Sequence, residues 1–198
     1  MTSTDRFDIE IRSPERVRDH GEVFTPKHIV DKMCEMVPES YWKDAKCMYL
    51  EPTCGHGNFL CAILQKRLAN GISARDSLNT LWGLDILDDN IADSKTRLHM
   101  IIADYLDKSG IPNKTAKWYN VVTKCGMIIE NNIFRVDDSI AYIKNKEFHK
   151  KPFAFHDPLG YNEVCSIDEQ ESLKSVVEDK ISAAKNGTHN EFSSYFLF

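Results

Sequence analysis

The chain has 198 residues, 42% of them hydrophobic and 28% charged, with a formal net charge of −5, which fits a globular chain long enough for one sizeable core. No apolar run reaches the roughly 20 residues that span a bilayer. The polar opening MTSTDRFDIEIRSPERVRDH lacks the apolar centre of a secretion signal, so a cytoplasmic protein with no membrane contact is expected.

Residues 1–20 read as an arm. Thr25-Pro26 then opens a helix, with Thr as cap and Pro at the first helical position. Ile29, Val30, Met33 and Val37 form its apolar face, Pro38 stops it, and a loop follows to residue 45. Cys47–Leu50 is a short apolar run that reads as a buried strand. It leads directly into E-P-T-C-G-H-G-N-F-L, residues 51–60, and then into a helix with Leu60, Ile63, Leu64 and Leu68 inward, closed by Gly71. Leu81–Ile86 is a second strand. A helix capped by Asp88 or Asp89 follows, carrying Ile91, Leu98, Ile101, Ile102 and Tyr105 on its apolar side and ending at Gly110-Ile111-Pro112. Residues 113–126 are a connector with no assigned structure. A third strand is expected around Asn132–Val136, a short helix over 139–147, a fourth strand at Pro152–Phe155 and a helix over 168–185. Strands alternating with helices predict an α/β fold with a mostly parallel sheet and right-handed crossovers.

The six cysteines, Cys34, Cys47, Cys54, Cys61, Cys125 and Cys165, form no C-x-x-C pair and have no histidines at zinc-ligand spacing, so free thiols and no metal site are expected. Lys144, Lys146, His149, Lys150 and Lys151 make one basic cluster, broken by Glu147, which reads as a solvated loop. Such a chain grips DNA phosphates only weakly on its own.

The strongest chemical signal is the strand–turn–helix at 51–60. Gly55 and Gly57 permit a sharp turn and a close backbone approach to a ligand, and Glu51 stands at the strand end, where a carboxylate can meet a cation. Alone, such a turn reads equally as a tight strand-to-helix connection. Asp85 closes the next strand, the position from which an acidic residue bonds ribose hydroxyls in nucleotide-binding sheets. Asp138, after the third strand, reads either as a partner for an adenine amino group or as a helix cap. The dinucleotide signature G-x-G-x-x-G is absent, since 55–60 reads G-H-G-N-F-L with Leu60 in the last position.

G-E-V-F-T-P at 21–26, followed by an amphipathic helix and then E-P-T-C-G-H-G-N-F-L, resembles the N6-adenine DNA methyltransferases of restriction–modification systems, in the group whose cofactor motifs precede the catalytic motif. The resemblance covers about residues 20–160. It implies a Rossmann-like fold dependent on S-adenosyl-L-methionine (SAM), with residues 21–198 as the methyltransferase-like domain. It also implies cofactor contacts from Phe24, Thr25 and Pro26; from Glu51, Pro52, Cys54, Gly55, Gly57, Asn58 and Phe59; from Asp85 at the ribose; and from Asp138 at the adenine edge. His56 stands where the family often has a small residue.

The family's catalytic motif, N/D-P-P-aromatic, corresponds to H-D-P-L-G-Y-N at 156–162. In that motif a side-chain oxygen and a backbone carbonyl accept hydrogen bonds from the flipped adenine's amino group, and an aromatic ring stacks on the base. Asp157 and Pro158 match. Leu159 replaces the second proline, Gly160 takes the aromatic position and Tyr161 follows one residue late, which slackens the turn. The resemblance therefore leaves two functions standing. One is methyl transfer to adenine N6 in DNA, with Asp157, Pro158 and Tyr161 at the reacting centre and a partner subunit supplying the remainder. The other is an inactive methyltransferase-like protein that binds SAM or a partner subunit as a regulator or decoy. A SAM-dependent enzyme acting on RNA or protein also fits. The expected sheet is incomplete in its C-terminal half, and the apolar tail Tyr195-Phe196-Leu197-Phe198 is expected to be covered by a partner chain or by a second copy.

Overall fold

A computed structural model of the chain describes residues 9–144. The fourth strand expected at 152–155, the helix over 168–185, Asp157, Pro158, Tyr161 and the apolar tail lie outside the described residues.

The described residues are built on a three-stranded parallel sheet of order β1-β2-β3, formed by β1 (Tyr49–Glu51), β2 (Leu81–Asp85) and β3 (Ile133–Arg135). Tyr49 pairs with Leu81 and Glu51 with Gly83; Gly83 pairs with Ile133 and Asp85 with Arg135. Every residue of β2 is buried, the pattern of a parallel strand covered on both faces, and it explains the unbroken run Leu-Trp-Gly-Leu. Gly83 is required by packing. A Cβ there would lie 2.7 Å from Leu60 Cδ1 and 3.2 Å from Ile133 Cδ1, so a helix and a neighbouring strand both press onto its backbone.

The first crossover contains α4 (Asn58–Ala69) and α5 (Ala74–Asn79), the second α6 (Asp88–Lys108) and α7 (Ala116–Asn132). Leu60 and Leu64 of α4 and Leu98, Ile102 and Leu106 of α6 fall at helical spacing and are buried. Thr115 caps α7 by accepting from Trp118 N at 3.2 Å, and Trp118, Val122, Cys125 and Ile129 turn inward. Arg67 of α4 is fully buried and donates to the carbonyls of Asp44 and Ala45 at 3.1 and 3.3 Å, tying the chain before β1 to the helix after it. The second crossover ends in β3, after which α8 (Ser139–Lys144) begins.

Before the sheet lie α1 (Pro14–His20), α2 (Lys27–Glu35) and α3 (Glu39–Lys43). Part of the expected arm is thus helical. Ser13 Oγ accepts from Arg16 N at 3.3 Å, Pro14 opens the helix and Gly21 closes it at φ 64°. No residue of α1 is buried; it is held by ion pairs, which leave no hydrophobic period to read. The inner face of α2 is also rotated from expectation. Val30 and Cys34 are buried against α4, whereas Ile29 and Met33 are exposed. Pro26 rather than Thr25 holds the cap position of α2, with no side-chain bond. Among the described residues no helix is long and apolar enough to cross a membrane, and Cys34, Cys47, Cys54, Cys61 and Cys125 are free.

Candidate functional site

A cavity of about 540 Å³ opens at the carboxyl ends of β1 and β2, the place where parallel sheets hold their ligands. Residues 20–25, the turn after β1 with the start of α4, and residues 85–90 form most of its described wall, joined by Met33 and Ser139. Cys54 N donates to Leu84 O at 2.8 Å, carrying the β1–β2 pairing past the end of the strand. Gly55 N then donates to Asp85 Oδ2 at 2.8 Å. The glycine turn and the strand-ending carboxylate therefore lie side by side. Asp85 is nearly buried, and its Oδ1 accepts from Leu87 N at 2.9 Å and from Asn90 Nδ2 at 3.3 Å.

The two glycines are also required by the protein's own packing. Gly55 has φ 52°, and a Cβ there would meet the Phe24 ring at 3.0 Å. Gly57 has φ 90°, and its Cβ would meet Ser94 Oγ at 2.9 Å and Ser94 Cα at 3.1 Å. Ser94, on α6, donates to Gly55 O at 2.8 Å, so the turn is clamped onto that helix. Cys54 faces the same serine, Sγ to Oγ at 3.8 Å; burial pushes its thiol well up, which leaves it protonated and unreactive.

His56 points into the protein and is 1% exposed. Its ring meets Phe24 edge-on at 3.8 Å between centroids. Arg97 Nη1 lies 2.7 Å from His56 Nδ1, 2.7 Å from His56 O and 2.8 Å from Asn58 Oδ1. Arginine has no acceptor, so Nδ1 accepts and the ring proton sits on Nε2. Burial, with Arg97 and Arg12 nearby, lowers the His56 pKa to about 3, and the ring is neutral at physiological pH. Asn58 Nδ2 donates to Thr25 O at 2.7 Å. Asn58 thus pins the Phe24–Pro26 segment to the start of α4, and its amide is engaged by the protein.

Glu51, Cys54, Gly55, Asn58, Phe59, Phe24, Thr25 and Asp85 all line the cavity, whereas Pro26, Pro52 and Gly57 do not. Glu51 is held loosely, its Oε1 receiving, among the described residues, only Thr53 N at 3.4 Å and Thr53 Oγ1 at 3.5 Å; burial raises its pKa above the ordinary carboxylate value. Asp138 stands apart. Its Oδ1 accepts from Ala141 N at 2.9 Å, so it caps α8 in the second of the two roles its position suggested. Its neighbour Ser139 lines the cavity in its place.

Sequence reasoning missed the strap that forms one wall. Glu22 lines the cavity and is almost buried. It accepts from Arg16 Nε at 2.5 Å, from Arg16 Nη2 at 2.6 Å and from Asn90 Nδ2 at 2.8 Å. Burial alone would raise the Glu22 pKa, but these donors outweigh it and hold the group below its ordinary value. Arg16 also bonds Asp89 at 2.7 Å, and Arg12 bonds Asp89 at 2.8 Å as well as Asp93. The Arg12 guanidinium lies 5.4 Å from the Phe24 ring centroid. The sequence signal for this lock was the acidic start of α6 opposite two arginines of the arm.

Among the described residues, the cavity wall therefore carries three carboxylates, Glu22, Glu51 and Asp85, and no lysine or arginine. Such a wall suits a cation or a ligand rich in hydroxyl and amino donors, and it disfavours a phosphate. Among the described residues no group of His, Cys, Asp and Glu is placed to hold a metal ion. Comparison with protein-family models, curated proteins and solved structures finds no match for this chain.

Proposed function

We propose that the chain binds SAM in this crevice and is the cofactor-binding part of a DNA adenine-N6 methyltransferase. The observation that carries the reading is the open cavity between the glycine turn and Asp85, which the described residues wall with carboxylates and with no lysine or arginine. SAM carries a sulfonium, an ammonium and two ribose hydroxyls, and no phosphate. A nicotinamide or adenosine phosphate would bring negative charge against Glu22, Glu51 and Asp85. The order β3-β2-β1 agrees with the first half of a doubly wound sheet, and the G-E-V-F-T-P segment lies beside the turn at the cavity, within reach of a cofactor bound there.

In this reading Asp85 accepts from the ribose, and Glu51 at the end of β1 faces the cationic methionine end. Phe24 and Phe59 exclude water along the walls. SAM supplies the electrophilic methyl group. Asp157 and the backbone after it accept hydrogen bonds from the adenine amino group, which localises the nitrogen lone pair for attack, and Tyr161 stacks on the extruded base. The acidic chain leaves most of the DNA grip to a basic surface contributed by a partner. The departure D-P-L-G-Y from D-P-P-aromatic favours a second reading, a SAM-binding regulator without turnover.

Calorimetry with SAM on the wild type and on Asp85→Ala tests the cofactor site, with circular dichroism to verify folding. Binding that is lost in the variant supports it; a wild type that does not bind SAM refutes it. Transfer of labelled methyl groups to DNA, abolished by Asp157→Ala, separates the enzyme from the regulator.

A further inference from the structure

The lone pairs of the two inner carboxylates are nearly all occupied. An ionised carboxylate offers about four acceptor sites. Asp85 already takes Gly55 N, Leu87 N and Asn90 Nδ2, so about one site remains. That is too few to hold both hydroxyls of a ribose. Glu22, across the same cavity wall, takes two bonds from Arg16 and one from Asn90, and it too has about one site left. Asn90 Nδ2 donates to Glu22 Oε1 at 2.8 Å and to Asp85 Oδ1 at 3.3 Å, so one nitrogen ties the two carboxylates together in the cavity wall, and the spare sites are left on their other oxygens, Glu22 Oε2 and Asp85 Oδ2. The amide orientation is fixed, because a flipped Asn90 would turn its oxygen toward two carboxylates. Asn90 is 1% exposed, and its buried Oδ1 has no hydrogen-bond partner among the described residues.

We propose that a sugar diol is divided between Glu22 and Asp85, one hydroxyl to each, so that the ligand bridges the N-terminal strap and the sheet. The inference rests on the reading of the crevice as a SAM site and adds Glu22 as a specificity-determining residue, with Asn90 as its positioning residue. The site then selects an unphosphorylated ribonucleoside. A phosphate on either hydroxyl would face two carboxylates, and the loss of either hydroxyl would leave one of them without its donor.

The test is calorimetry with SAM and with its 2′-deoxy and 3′-deoxy analogues on the wild type, Glu22→Gln and Asp85→Asn. The wild type is expected to lose about tenfold or more in affinity for each analogue, the scale of one charge-assisted hydrogen bond. Glu22→Gln should weaken SAM by a similar factor and show no further loss with one analogue; Asp85→Asn should be indifferent to the other. Wild-type protein that binds SAM but tolerates the loss of either hydroxyl overturns the shared diol and leaves the cofactor reading intact. So does Glu22→Gln binding SAM like the wild type, or losing the same factor for all three ligands. Wild-type protein that binds none of the three sinks both. The wild-type arm needs no substitution, so a folding defect in a variant does not blunt the test.

Discussion

Replacing Gly57 by alanine should be among the most damaging small changes in the chain, through folding rather than through the ligand. The residue sits at φ 90°, and a Cβ would lie 2.9 Å from Ser94 Oγ and 3.1 Å from Ser94 Cα. A left-handed conformation costs a residue with a Cβ about 1–2 kcal/mol. Displacing Ser94 breaks its hydrogen bond to Gly55 O, which is worth about 1 kcal/mol, and the backbone of α6 has little room to retreat. Together these give about 2–4 kcal/mol, against a typical total stability of about 5–15 kcal/mol. For a chain of this size that corresponds to a fall in Tm of roughly 5–15 °C. Gly55→Ala provides the comparison. Its Cβ would meet only the Phe24 ring edge at 3.0 Å, and a side chain can swing, so about 1–2 kcal/mol is expected. Urea denaturation of both variants reads the difference directly. In the Gly57→Ala background, Ser94→Gly removes the hydroxyl contact but leaves Cα in place, and should recover only part of the loss. The reasoning fails if Gly57→Ala is as stable as Gly55→Ala, or lies within about 0.5 kcal/mol of the wild type, the range of ordinary surface changes.

Glu51 carries a raised pKa, so its contribution to stability is present below the ordinary glutamate value and lost as pH rises through the raised one. Glu51→Gln should therefore raise the Tm of the ligand-free protein at pH 7 and leave it unchanged near pH 4, while weakening SAM at pH 7. Glu22 behaves oppositely. Its lowered pKa gives stability that is present above the ordinary value and lost as pH falls through the lowered one, so hydrogen exchange of residues 10–24 should accelerate in acid before the sheet opens. Arg16→Ala releases the bonds to Glu22 and Asp89 and should make residues 10–24 susceptible to proteolysis at neutral pH, with β2 still protected. Gly83→Val forces a branched side chain where Leu60 and Ile133 already approach within 2.7 and 3.2 Å of a Cβ; overpacking of about 1–3 kcal/mol or more is expected in chemical denaturation.

The elements legible in the sequence were those whose signal is local. β2 shows as a continuous apolar run because it is covered on both faces, and α4 and α6 show through their helical spacing. α1 was missed although Ser13, Pro14 and Gly21 mark both its ends, because it buries nothing. α7 was missed for a different reason. Gly126 breaks its pattern, and only the tertiary structure shows why: the His99 ring lies 3.0 Å from where a Cβ would stand. The face of α2 was turned toward Ile29 and Met33, since periodicity alone does not say which neighbour a helix meets. In the candidate site, the glycine turn and Asp85 were readable from strand ends and turn residues. Glu22, Asn90 and Arg16 were not, because they are brought together across long stretches of chain by hydrogen bonds that leave no periodic trace.

Asp85 receives Gly55 N and Leu87 N from the chain itself. The same oxygen atoms that would greet an incoming nucleoside also fasten the loop that shapes its berth. If a ligand is held there, any mutation at this position is judged twice, once by the fold and once by the guest. A side chain at residue 85 has to satisfy two amide hydrogens before anything else arrives.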